Sequence, residues 1–135
     1  MTHTPNDFPF TQHIHGGSEA GLVLAQESIQ ELLILGREVI VELVDTYVDD
    51  AAERVRVTVE SFAAGDPDGV GRAAHALKSS SANMGALPFS VLCNELELLG
   101  NDGKEASMGP RVERLESMFV EVRQALVALR AFYQD

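Results

Sequence analysis

Cysteine is nearly absent. Cys93 stands alone, so no disulfide can form within the chain, a composition suited to a reducing cytoplasm. Long hydrophobic runs are absent too: stretches such as Leu32–Leu35 and Val39–Val41 fall far short of the roughly 20 apolar residues that span a bilayer, and no membrane span is expected. Met1–Phe10 lacks a basic region followed by an apolar stretch, so no secretory signal is read there, and a cytoplasmic location is expected. Basic residues are scarce, with 10 Lys and Arg against 21 Asp and Glu, a formal net charge of -11. Such a charge repels nucleic-acid phosphates and anionic lipid headgroups, which places nucleic acid and membrane surfaces outside the expected partners.

What is present is enough for one folded unit. In 135 residues, 45% hydrophobic side chains supply a single core, and 23% charged residues is an ordinary globular share that argues against global disorder. The acids are unevenly placed: Gly69–Asn94 contains no Asp or Glu yet holds Arg72, His75 and Lys78. Residues 1–20 mix Pro5, Pro9, Gly16 and Gly17 with polar residues and three histidines, show no periodicity, and read as a flexible arm preceding one domain over 21–135.

The rest of the chain is helical in its spacing. Ile29, Leu32 and Leu33 predict a short amphipathic helix over Glu27–Leu35 that stops near Gly36 and lids one end of the domain. Ile40, Leu43, Val44, Tyr47, Ala51, Val55 and Phe62 lie mainly three and four apart, with one gap of seven, and predict a long helix over Arg37–Ala64. Gly65 can close it in a left-handed conformation, and Asp66-Pro67 then reads as an N-cap followed by a first-turn proline. A third helix over Pro67–Met84 carries the stripe Val70, Ala73, Ala74, Leu77, Ser81 and Met84 and stops at Gly85. A fourth, Pro88–Leu99, buries Phe89, Leu92, Leu96 and Leu99 and stops at Gly100. In the last, Val112, Leu115, Phe119, Val122, Leu126, Leu129 and Tyr133 alternate between three and four apart, the seam of a helix packing at a shallow angle. No segment shows sustained period-two alternation. The fold class is therefore all-α: an up-down-up-down four-helix bundle with a short additional N-terminal helix.

Chemistry concentrates on the third helix. Successive residues rotate by about 100°, so once Val70, Ala74, Leu77 and Ser81 face the core, His75 points to solvent. Gly71 and Ser79 are placed one turn away on the same surface, with Ala82 a turn further and Lys78 to one side. An imidazole standing on a floor of small residues is open to close approach, and Lys78 can neutralise a negative group carried on its ring. Arg72 is a candidate contact for a partner on the same surface. Ser81 is read as a small core residue bonding back to the preceding turn, and Cys93 as buried and inert. His3, His13 and His15 are not read as metal ligands, for they lack a partner cluster on a rigid element.

The run Ala74-His75-Ala76-Leu77-Lys78-Ser79-Ser80-Ser81-Ala82-Asn83-Met84-Gly85 resembles the motif of histidine-containing phosphotransfer (HPt) domains: His, Lys three residues on, a small residue next, and a small-residue run ending in Gly ten residues after the histidine. Ser79 stands where Gly is commonest. The resemblance extends in architecture from about Ile29 to Ala131, with specific residues confined to His75–Gly100. It implies that His75 carries a phosphoryl group between the aspartates of response-regulator receiver domains, downstream of a hybrid sensor histidine kinase, in a multistep two-component relay. It further implies that Glu97 orients the imidazole. Helical placement is what assigns Lys78 to the phosphoryl charge and Gly71, Ser79 and Ala82 to the docking surface, with Arg72 as either a partner contact or a general surface cation. No cofactor of its own is implied; Mg2+ is expected on the partner receiver. The absence of a Walker loop or kinase nucleotide motif fits a carrier better than a kinase, and whether such a carrier counts as an enzyme stays open. The alternative is a bundle that binds a receiver or kinase domain without being phosphorylated. A hydrolase with His75 as base lacks any visible nucleophile or oxyanion site. The last helix needs its apolar seam inside the bundle, so a monomer is expected.

Overall fold

Among the described residues, five α-helices account for the periodic stretches: α1 (Gln26–Leu33), α2 (Arg37–Ala63), α3 (Pro67–Asn83), α4 (Leu87–Asn101) and α5 (Gly109–Tyr133), with 3-10 turns at Phe10–Gln12 and Glu105–Ser107. This computed structural model describes residues 8–18 and 21–134. The long helices run up and down in chain order; each packs on its neighbour, and α5 closes the ring against α2. Arg130 of α5 clamps Asp45 of α2 through two contacts of 2.7 and 3.1 Å. Among the described residues, no helix is long and apolar enough to cross a membrane.

Most of the core comes from the stripes read from the spacing, while Leu43, Phe62 and Leu99 are only partly buried against it. Val70, Ala73, Ala74, Leu77, Ser81 and Met84 are all buried, as is the whole seam of α5 from Val112 to Tyr133. The gap of seven in α2 is filled by Thr58, fully buried, whose hydroxyl donates to the Arg54 carbonyl at 2.8 Å. A threonine that satisfies its own hydroxyl along the helix can sit in a core, which an apolar count misses. Between α2 and α3 the chain turns on Gly65, whose φ of 70° is left-handed, and the Asp66 side chain accepts from the Gly69 amide at 2.9 Å. This short connection makes α2 and α3 antiparallel neighbours.

Three expectations are corrected. First, the described part of the segment read as a flexible arm packs on the bundle: Phe8 and Phe10 are buried, and Phe8 meets Phe132 of α5 edge-on. Two aromatic anchors without periodicity carry no helical signal, yet burying each removes a large apolar area from water. Residues 1–7 and 19–20, His3 included, lie outside the described residues. His13 stacks on Phe8, and His15 pairs with Glu121 of α5 at 3.0 Å. Second, Gly100 does not stop α4, which continues to Asn101. Third, Ser81 does not bond to the preceding turn; Tyr47 Oη and Ser81 Oγ share a buried hydrogen bond of 2.6 Å, while Ser80 bonds back to Ala76 and Leu77. Burial pushes the Tyr47 phenol well above its ordinary pKa, so it stays protonated. Tyr47→Phe is expected to leave Ser81 without its buried partner and to lower stability by about 1–3 kcal/mol in urea denaturation; an unchanged midpoint would mean that Ser81 finds another partner.

Candidate functional site

His75 lies in the middle of α3, on the face opposite the buried stripe, with 66% of its side chain exposed. The antiparallel helix α4 packs along one flank of that face. Ser90 of α4 donates to the Lys78 carbonyl at 2.9 Å, and Gly100 of α4 lies against Gly71 of α3. Between these two points α4 presents Glu97, whose side chain is only 14% exposed.

Glu97 serves two residues at once. One of its oxygens, Oε2, takes a short hydrogen bond from His75 Nδ1; the other, Oε1, accepts from Lys78 Nζ at 2.5 Å. Lys78 also reaches Asn94 Oδ1 at 3.4 Å. The hydrogen bond from Lys78, with that from His75, holds the Glu97 carboxyl below the usual carboxylate range against the opposing effect of burial. It is therefore an anion at neutral pH and can only accept. The hydrogen must then sit on His75 Nδ1, and in the neutral ring the lone pair is left on Nε2.

Not every residue assigned to the surface is found there. Ser79 is exposed beside His75, and Ala82 is half-buried at the edge of the cleft where α1 meets α2 and α3. Gly71 is buried, because α4 crosses α3 at that point; it cannot belong to a docking surface. Arg72 is exposed but its charge is engaged by Asp68, one turn earlier on the same helix. The acid-free stretch Gly69–Asn94 is consequently not a positive patch: Glu97 and Asp68, just outside it in sequence, balance Lys78 and Arg72 in space. Cys93 is buried, and burial pushes its thiol up to about 12, which leaves it unreactive. Asn94 and Ser90 were not singled out from the sequence, and Gly100 was read there only as a helix stop. Their shared face with Glu97 follows from spacings of three and four, but that α3 lies across that face does not. Among the described residues no cluster of His, Cys, Asp and Glu is arranged to hold a metal ion.

The four-helix bundle thus carries an exposed histidine in hydrogen-bond contact with a carboxylate from the adjacent helix. The Hpt domain family matches this sequence over residues 42–131, two thirds of the chain, and the chain belongs to that family, a histidine phosphotransfer protein of two-component phosphorelays. It is similar to histidine-containing phosphotransfer protein B (HptB) from Pseudomonas aeruginosa PAO1, with 29% sequence identity and a TM-score of 0.77 across 81% of this chain and 95% of that one. No curated protein sequence matches it. Hpt domains partner with receiver domains and histidine kinases in phosphorelays.

Proposed function

We propose that Nε2 of His75 is the phosphoryl-carrying atom, and that this chain passes the group between aspartates of response-regulator receiver domains fed by a hybrid sensor histidine kinase. The observation that carries the reading is the contact of Glu97 with Nδ1, which leaves Nε2 of the exposed side chain as nucleophile. In the forward step the Nε2 lone pair forms the N–P bond, the O–P bond of the aspartyl phosphate breaks, and the aspartate leaves as carboxylate. The ring keeps its Nδ1 hydrogen and gains positive charge, which Glu97 faces directly. Lys78, paired with Glu97 before transfer, is close enough to turn toward the incoming anion and donate to it. No base is consumed, so positioning and charge account for the step. In this reading the bundle holds no cofactor, Mg2+ belongs to the receiver, and the protein acts as a monomer in the cytoplasm, where receivers and kinase domains meet it.

The test is direct. Incubation with a phosphorylated receiver is expected to place on His75 a phosphate that is labile to acid and stable to base, mapped by mass spectrometry. Binding of the receiver without any such label would favour the non-phosphorylated interaction module.

The docking face is expected to centre on His75 and Ser79, with Arg72 at its rim; Ala82 borders it where α1 begins. Ser79→Arg introduces a long charged side chain one turn from the ring, on an exposed position. It should change stability by less than about 0.5 kcal/mol while weakening receiver binding by about tenfold or more, measured as Kd. Unchanged affinity in the folded variant would place the receiver on another face.

A further inference from the structure

Gly100 was expected to end α4, yet it lies inside the helix and touches α3 backbone. A Cβ built on it would sit 2.7 Å from Gly71 Cα, 2.7 Å from the Pro67 carbonyl oxygen and 2.8 Å from the Gly71 amide nitrogen. All three are main-chain atoms of one helix, so no side chain can rotate away to make room. The reverse substitution is milder: a Cβ on Gly71 would lie 3.3 Å from Gly100 Cα and 3.5 Å from the Glu97 carbonyl oxygen. Carbon atoms rest at about 3.5–4.0 Å, so alanine at position 100 forces the two helices apart by roughly an ångström at this crossing.

The crossing is one helical turn from the site on both helices. Glu97 precedes Gly100 by three residues, and His75 follows Gly71 by four; because α3 and α4 are antiparallel, the two turns lie side by side. Glu97 holds two donors on α3 simultaneously, His75 Nδ1 and Lys78 Nζ. A carboxylate that retreats with its helix can follow one donor by changing rotamer, but it cannot restore both. Hydrogen bonds weaken steeply with such displacement.

We infer that Gly100, packed on Gly71, is a positioning residue for phosphotransfer: the glycine pair sets the spacing of α3 and α4 at which the Glu97 carboxylate reaches His75 and Lys78 together. The inference rests on the proposed role of His75, but half of its test does not depend on that role.

The experiment compares wild type, Gly100→Ala, Gly71→Ala, Glu97→Ala and the double variant Gly100→Ala/Glu97→Ala. The tautomer of His75 is read by 15N NMR at a pH where the ring is neutral, and transfer from a phosphorylated receiver is read at saturating receiver concentration. Gly100→Ala is expected to shift the ring away from the Nδ1-protonated form. It should also slow transfer by about tenfold, the loss of one charge-assisted contact, with receiver Kd unchanged. Gly71→Ala should move both readouts in the same direction and by less, following the contact distances, and it carries the test if Gly100→Ala does not fold. In the Glu97→Ala background, Gly100→Ala should add nothing further to either readout. Leu129→Ala, in the core near the opposite end of the bundle, should destabilise the protein and leave the tautomer as it is. A wild-type tautomer in both glycine variants, an effect of Gly100→Ala that persists without Glu97, or the same tautomer shift in Leu129→Ala would overturn the inference. If wild type takes no phosphate on His75, the functional reading fails, and the tautomer measurements still decide the positioning role.

Discussion

His75→Gln is expected to abolish phosphate acceptance while leaving the bundle folded. The side chain is two-thirds exposed and makes its polar contact only at the surface of α3, so its replacement removes no core packing. Surface substitutions of this kind change stability by less than about 0.5 kcal/mol. The glutamine amide can still donate to Glu97, which keeps the neighbouring charges in place, but it has no ring nitrogen lone pair to attack phosphorus. Circular dichroism should give a wild-type melting curve, and labelled phosphate from a receiver should be absent from the variant. Persistent labelling would move the carrier to another residue.

Lys78→Ala is expected to have the next largest effect. A hydrogen bond to a charged group contributes about 1.5–3 kcal/mol, so transfer should slow by roughly tenfold to a hundredfold, and the phosphohistidine should decay faster. The geometry adds a consequence that Lys78 acting on phosphate alone would not have. Lys78 and His75 share one carboxylate, so removing the lysine leaves Glu97 wholly to the ring, and the two side chains behave as a coupled unit. In Glu97→Gln the amide oxygen still accepts from Nδ1, while the NH2 that replaces Oε1 can only donate, so Lys78 loses both the charge and its acceptor. The stabilising effect of the Glu97 carboxylate has a defined pH dependence. Its folded pKa lies below the ordinary value of 4.5, so the unfolded chain takes up the proton first as pH falls. The contribution is complete above that ordinary value and disappears as pH drops through the lower folded one. Denaturation of wild type and Glu97→Gln should therefore differ at neutral pH and converge under strong acid. A constant difference between them would mean that the charge of Glu97 does not stabilise the fold.

Much of this molecule is legible in its sequence. The three-and-four spacing of apolar residues located all five helices, because one side of each must leave water. Gly65 followed by Asp66 and Pro67 located a turn, because a left-handed residue, a side-chain cap and a fixed φ are local requirements. The exposure of His75 followed from helical rotation alone once the buried stripe was known, and its resemblance motif is a contiguous run of residues. These are properties of neighbours along the chain, and a single sequence states them directly.

Distances between helices are of another kind, and only the tertiary structure decided them. A glycine looks the same in sequence whether it ends a helix, floors an exposed surface or admits a second backbone; Gly71 and Gly100 do the last of these, against the readings of surface and stop. Ser81 found Tyr47 on a different helix, and Phe8 and Phe10 found the core from a segment with no periodicity at all. The suggestion that Glu97 meets His75 came from family resemblance, and that it binds Lys78 with its other oxygen appears only when α3 and α4 are placed side by side. Periodicity specifies which face of a helix is buried and therefore which residues line each seam. How closely two seams approach depends on the side chains at their crossing, and here the site depends on a crossing where neither helix has a side chain.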